Sequence, residues 1–289
     1  MKPFLCIDLT DNKKNEQENG EEWLVAKPSS ALVQSLERST EHAEQTIEKS
    51  KLPLPIRIVK WIFGIAGFVI IAAVVDWWSE EESITFREIY QNMPWLFWVA
   101  GACLVVWGVL MLLGIIKAKR VLETDESSQV FDHYDKTCEA IFADLGVPAD
   151  ATEIDVLTFF YKVKDGEVKV CEKALQAAPY VNPVYRVFVD EEQLYLANLE
   201  GKYAIPLSAV QAIRSLKKTI CILEWNKDEP YNKGIYKQYK LSEDDKDRLI
   251  CKGYHVVEFT RENELWGLYI PCYELPVIEA LTGVTADSF

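Results

Sequence analysis

The side chains best equipped for chemistry in this 289-residue chain are its seven cysteines and three histidines. Cys171, Cys221, Cys251 and Cys272 share the C-terminal region with His255, and thiol plus imidazole is the pairing of a nucleophilic dyad. His255 alternates with Val256 and Phe259 along a strand-like run, however, which is the setting of a structural histidine. His133 has Asp132, Asp135 and Cys138 nearby, the residue types of a metal site. The two aspartates stand three apart on a helical pattern, with the histidine off their face. Glu243-Asp-Asp-Lys-Asp247 has the composition of a calcium loop but lacks its glycine and distal bidentate glutamate, so a solvated turn is the simpler reading. Gly-x-x-x-x-Gly-Lys-Ser, Gly-x-Ser-x-Gly and His-Glu-x-x-His are all absent from the chain. We therefore expect no enzymatic activity, no cofactor and no metal.

Lys217, Lys218, Lys227, Lys233, Lys237 and Lys240 form the one basic-rich region, interleaved with Trp225, Tyr231, Tyr236 and Tyr239. Two readings stand side by side: the solvated face of two strands, or a docking patch for an acidic protein segment. The formal charge is −14, and all but −2 of it falls in residues 121–289. So acidic a region is a poor partner for nucleic acid or anionic headgroups, both of which require clustered cations. The chain holds no Cys-x-x-Cys, and one of its cysteines, Cys103, lies in an apolar run. That is the usage of reduced cytoplasmic thiols.

The elements that would position any site are organised around residues 56–116. From Met93 through Ile116 there is no charged side chain. That run makes roughly 36 Å of helix, enough to cross a hydrocarbon core of about 30 Å. A first run, Trp61–Val75, reaches spanning length by adding Ile56, Ile58 and Val59 before it and Trp77 and Trp78 after it, with Arg57 and Lys60 snorkelling. Lys49, Lys51, Arg57 and Lys60 precede this helical hairpin, and Lys117, Lys119 and Arg120 follow it. The loop 79–92 carries Glu80, Glu81, Glu82 and Glu88 against Arg87. The positive-inside rule then puts both termini in the cytoplasm and the loop outside a plasma membrane. Gly64 and Gly67 in the first helix, and Gly101, Gly108 and Gly114 in the second, predict close packing within the hairpin. Thr85-Phe-Arg-Glu88 reads as a capping box opening a short helix that Pro94 ends. No secretory signal precedes the first span, because residues 1–51 are charged and mixed in sign.

Residues 1–52 form a first, cytoplasmic segment. Phe4–Leu9 and Trp23–Ala26 predict a β-hairpin, and Ser29 or Ser30 caps a juxtamembrane helix that Pro53 and Pro55 end. A hairpin alone is marginal in water, which predicts that it docks on the sheet of the C-terminal region. In the cytoplasmic region 121–289, a helix runs from Ser127 or Ser128 to Leu145. Leu157–Val163 and Val168–Val170 then flank the turn Lys164-Asp-Gly-Glu167. Seven runs follow, at 184–190, 193–198, 202–207, 219–225, 235–241, 253–260 and 264–270, and a helix from Tyr273 to Leu281 closes at Gly283. The fold class is thus a membrane α-helical hairpin plus an α+β domain. Its bent antiparallel sheet of about seven strands would be plugged by the C-terminal helix.

Leu194-Tyr-Leu-Ala and Tyr203-Ala-Ile-Pro-Leu-Ser-Ala-Val-Gln-Ala-Ile213 carry a resemblance: a strand ending in Ile-Pro, then a short helical turn with a second buried isoleucine. Over residues 184–282 this resembles the pleckstrin-homology-like superfold in its bacterial and GRAM-type versions, including two-pass membrane proteins that carry it. The resemblance implies no catalytic residues. Relatives that bind phosphoinositides do so with basic residues between their first two strands; here that turn is Asp190-Glu191-Glu192. The functional expectation is a membrane-anchored, non-catalytic interaction or scaffolding module. The alternative is an accessory subunit of a membrane transporter or enzyme complex acting through its hairpin. Expected partners are the bilayer, spanned twice, an unidentified membrane or cytoplasmic protein, and a second copy of the chain.

Overall fold

The computed structural model describes residues 1–10, 20–80, 90–171, 184–222, 238–243 and 249–287. It divides into two compact units, Met1–Leu32 with Glu139–Phe289, and Val33–Cys138. The first is rich in sheet and the second is helical.

In the first unit the early strands are β1 (Lys2–Phe4), β2 (Ile7–Asp8), β3 (Leu24–Ala26), β4 (Thr152–Asp155), β5 (Phe160–Lys164) and β6 (Glu167–Cys171). Then come β7 (Val184–Asp190), β8 (Gln193–Ala197), β9 (Lys202–Pro206), β10 (Val210–Leu216) and β11 (Ile220–Ile222). Last are β12 (Ser242–Glu243), β13 (Leu249–Cys251), β14 (Tyr254–Arg261) and β15 (Glu264–Pro271), followed by the helix Leu275–Thr282. Among the described residues these strands form four sheets, ordered β3-β9-β8-β7-β4, β1-β15-β14-β10, β2-β5-β6 and β11-β13-β12. The runs expected to build one sheet of about seven strands are therefore spread over several.

The five- and four-stranded sheets share one core. Tyr185, Val187, Leu194, Leu196 and Ile205 meet Ile213, Val257, Phe259, Trp266 and Leu268, and Ile278 of the C-terminal helix joins them. A second core holds Leu157, Phe159, Ile220, Leu249, Tyr254, Val256 and Tyr269. Strand alternation lets β14 serve both: Tyr254 and Val256 face the second core, Val257 and Phe259 the first. The C-terminal helix ends as expected at Gly283, which adopts φ 69° and donates its N–H to the Glu279 carbonyl.

The expected N-terminal hairpin does not form. β1 runs parallel to β15 with Phe4 opposite Leu268, β2 runs parallel to β5, and β3 pairs antiparallel with β9. Leu5, at φ 55°, turns the chain between β1 and β2. Phe4 and Leu5 are fully buried, and Trp23 is 3% exposed. Phe4 sets its ring edge-on to Phe259 at 5.4 Å and to Tyr203 at 5.8 Å. Each such side chain contributes about 1.5–3 kcal/mol by burial, and three sheets provide edges for the short strands. Gly20 adopts φ 144°, and a Cβ there would stand 2.7 Å from the Phe4 ring.

Other local readings are corrected too. Val210 to Ile213 is strand, with the helical turn confined to Leu207–Ala209, because pairing with β14 overrides the helix-forming Gln211 and Ala212. Residues 238–240 form a helical turn where a strand was expected; the rest of the 235–237 stretch lies outside the described residues. β5 begins only at Phe160, although Leu157 and Phe159 before it are buried. β4 and β13 were not anticipated. β4 is an edge strand whose one deeply buried residue is Ile154, so it shows little alternation.

In the helical unit, Ser30–Ser50 is followed by Leu54–Glu80, with Pro53 between them, and Pro94–Leu122 by a helix starting at Asp125. Leu54–Trp77 and Pro94–Leu122 are long and apolar enough to cross a membrane. Only 17% and 6% of their most apolar windows are buried, unlike the core helices of a soluble protein. Gly64 and Gly67 make the close approach, since added Cβ atoms would stand 2.7 Å from Trp107 and 2.9 Å from Leu104. Gly101 and Gly108, expected in the same packing, have nothing within 4 Å. The capping box at Thr85 lies outside the described residues.

Candidate functional site

Three places in the fold concentrate functional groups. The first is the thiol and imidazole set. Cys251, at the end of β13, and Cys272, just after β15, are both buried, and their thiols hydrogen-bond to each other. That bond holds the Cys272 thiol below its usual range. His255 sits on the other face of β14, opposite Ser215 of β10 in the strand register. Its Nδ1 is 3.1 Å from Ser215 Oγ, and the Ser215 hydroxyl donates to the Asp287 carbonyl at 2.7 Å. Burial keeps the imidazole below its usual pKa. Strand parity thus separates His255 from the two thiols. Its Nδ1 faces a serine whose proton is already committed to a carbonyl. The side chains of Cys171 and Cys221 lie outside the described residues. Among the described residues no three His, Cys, Asp or Glu side chains converge as metal ligands would, and the stretch 244–248 lies outside them.

Beside the thiols lies a carboxylate pair that sequence reasoning missed. Tyr273 donates its hydroxyl to Asp155 Oδ2 at 2.6 Å, and the Asp155 N–H donates to Glu274 Oε1 at 3.0 Å. Burial raises both carboxyls, Glu274 to about 7. No motif marks them, because Asp155 and Glu274 come together only when β4 meets the start of the C-terminal helix.

The second place is an open groove of about 560 Å³ with Tyr254 and Tyr269 on its floor and Met1, Val168 and Leu216 on its walls. Lys218 and Glu167 stand at its edge. Of the expected basic patch, Lys217 and Lys218 are exposed just after β10, and Lys240 is exposed beyond β11. Lys227, Lys233 and Lys237 lie outside the described residues. The structure therefore brings Lys217 and Lys218 next to an aromatic groove that their sequence neighbours did not announce.

The third place belongs to the helical unit. His42, Gln45, Thr46 and Lys49, at i, i+3, i+4 and i+7, form one face of Ser30–Ser50. Opposite them are Arg120, Val121, Thr124, Glu126, Ser127 and Val130, and the cleft between encloses about 460 Å³. Its floor is fixed by local bonds. Ser127 Oγ and Thr124 Oγ1 both donate to the Val121 carbonyl, at 2.6 and 2.9 Å, while the Ser127 N–H donates to Thr124 Oγ1. Ser127 and Thr46 are buried, whereas His42, Lys49 and Arg120 are exposed.

The neighbouring cations are already engaged. Lys51 and Arg57 both bind Glu48, at 2.8 and 3.2 Å, Lys119 pairs with Glu123, and Lys117 donates to the Lys51 carbonyl. The Lys51 hydrogen bond holds the Glu48 carboxyl below its usual range. Among the described residues neither Lys49 nor Arg120 has an ion-pair partner, and both line this cleft.

Compared with protein-family models, with curated proteins and with solved structures, the chain matches none.

Proposed function

We propose that this chain is a two-pass membrane protein whose sheet-rich unit is a non-catalytic interaction module, and that the module is a variant of the pleckstrin-homology-like superfold. Two antiparallel three-stranded sets support the fold reading. β7-β8-β9 is one, β10-β14-β15 is the other, and Leu275–Thr282 packs into their common core. The observation that carries the functional reading is the groove floored by Tyr254 and Tyr269 and edged by Lys218, beside Lys217. Tyr254 and Tyr269 are buried beneath the groove, and the partly exposed apolar side chains of Met1, Val168 and Leu216 next to exposed cations suit an acidic, partly apolar protein segment.

The test uses the full chain in its membrane, with a photo-crosslinker at Glu167. Crosslinks to a cytoplasmic protein that disappear in Lys217→Glu/Lys218→Glu are the expected result; crosslinks indifferent to that charge reversal would remove the groove from the proposal. The accessory-subunit reading draws on a separate observation: Gly101 and Gly108 leave open space, and Trp98 and Val105 on the same helix are 72% and 65% exposed. A crosslinker at Val105 that captures a membrane protein, while Glu167 captures nothing, would favour that reading instead.

In this proposal both termini are cytoplasmic and the loop 79–92 lies outside the plasma membrane, following the basic flanks of the two spans. An impermeant maleimide on intact cells is expected to label Ser83→Cys and leave Asp150→Cys, an exposed position, unlabelled. Labelling at Asp150→Cys would invert the topology. The native Cys6 and Cys272 are buried and report nothing on sidedness.

A further inference from the structure

We infer that the cleft between Ser30–Ser50 and the 120–130 stretch is a binding site for a phosphate group, supplied by an anionic glycerophospholipid. Three observations converge on it. The first is cation accounting. Lys51, Arg57, Lys117 and Lys119 each have a carboxylate or carbonyl partner, whereas Lys49 and Arg120, which line the cleft from two different helices, pair with no carboxylate among the described residues. Two exposed cations placed across a shared cleft attract an anion between them.

The second observation is shape and polarity. His42 and Gln45 add polar groups to one wall, while the Thr46, Thr124 and Ser127 hydroxyls, whose protons go to backbone carbonyls, add polar oxygens. The volume of about 460 Å³ admits a headgroup. Glu126 also lines the cleft, so its walls carry one carboxylate against two fixed cations. The net field still favours a single anionic group.

The third observation is depth. Pro94–Leu122 has 29 residues, about 43 Å of helix, against a hydrocarbon core of about 30 Å. The helix therefore outruns the hydrocarbon by about two turns, and Arg120 rises to the level of lipid phosphates. A free phosphate ester carries the same anionic group, but the depth of Arg120 favours a lipid as its source. The depth argument rests on the proposed two-pass membrane reading; the site itself lies in the helical unit and is independent of the groove in the sheet-rich unit, so either site can fail without the other.

The experiment is native mass spectrometry of the full chain released from nanodiscs of phosphatidylcholine containing phosphatidylglycerol. The expected result is one retained phosphatidylglycerol per chain, enriched over phosphatidylcholine by about tenfold or more. Lys49→Gln/Arg120→Gln is expected to abolish the enrichment, and Lys51→Gln/Lys119→Gln, which removes paired cations of equal charge, to preserve it. Unchanged thermal unfolding of both variants confirms that they fold, as their exposed positions predict. Displacement of the retained lipid by millimolar inorganic phosphate would keep the phosphate site and assign its ligand to soluble esters. No enrichment in the wild type, or equal loss in both variants, overturns the proposal, since the second outcome reduces the effect to general positive charge.

Discussion

Four tryptophans contrast the two units. Trp23 and Trp266 in the sheet-rich unit are 3% and 1% exposed, while Trp61 and Trp98 in the two long apolar helices are 61% and 72% exposed. The side chain is the same and its burial against protein is not. In the sheet-rich unit burial against protein is the only way to remove an indole from water, so aromatics gather around Phe4 and Phe259. In the two long apolar helices the proposed bilayer would remove the indole from water, and the helices approach each other closely at Gly64 and Gly67. Charge follows the same division. Arg186 in the sheet-rich unit is clamped by Glu139 and Glu153 at 2.6 and 3.1 Å and stacks on Phe142 at 4.1 Å. Of the cations flanking the two long apolar helices, Lys49, Lys51, Lys119 and Arg120 are exposed.

The largest test of this contrast is Trp23→Ala against Trp98→Ala. Removing Trp23 empties the meeting point of β1, β9 and β14 and is expected to destabilise the sheet-rich unit by about 3–5 kcal/mol. Removing Trp98 should change its stability by less than about 0.5 kcal/mol. Denaturant titration of the full chain in detergent, followed by limited proteolysis of the sheet-rich unit, measures both. Comparable losses would mean that Trp98 is packed against protein.

Next in size is the buried carboxyl at Glu274. Burial raises its folded pKa from 4.5 to about 7, so the folded state binds its proton more tightly than the unfolded chain does. The resulting stability is fully present below about pH 4.5 and is lost as pH rises towards 7. Glu274→Gln keeps an acceptor for the Asp155 N–H without the charge. It is expected to be more stable than wild type by about 3 kcal/mol at pH 8, with the gap closing below pH 4.5. Melting curves of both proteins across this range read the effect. A gap that does not vary with pH would mean that Glu274 keeps its charge in the fold.

The smallest effect separates the two sets of membrane glycines. Gly64→Ala brings a Cβ to 2.7 Å from Trp107 and is expected to weaken the helical pair by about 1–3 kcal/mol. Gly101→Ala meets open space and should be neutral within about 0.5 kcal/mol. Thermal unfolding in one fixed detergent compares them. Equal sensitivity at Gly101 would place a further helix against that face.

The sequence was legible wherever one side chain pattern meets one uniform medium. Leu54–Trp77 and Pro94–Leu122 follow from apolar length, because a medium that is uniform around a helix asks the same of every face. Val184–Asp190, Gln193–Ala197 and Lys202–Pro206 follow from two-residue alternation and polar turns, and Leu275–Thr282 follows from its apolar spacing and Gly283. By itself, then, the sequence determined the two long apolar helices, the long strands and the closing helix. Only the tertiary structure decided which strands pair. β1, β2 and β3 are two or three residues each, and backbone hydrogen bonds to β15, β5 and β9 carry no side-chain code over such lengths. It also decided that His255 faces Ser215 and not a thiol, since a one-residue change of strand parity exchanges the two faces of a sheet. And it decided that Lys49 and Arg120 line one cleft with no carboxylate partner among the described residues, because ion pairing depends on which helix faces meet across the cleft, a property no single stretch of chain contains.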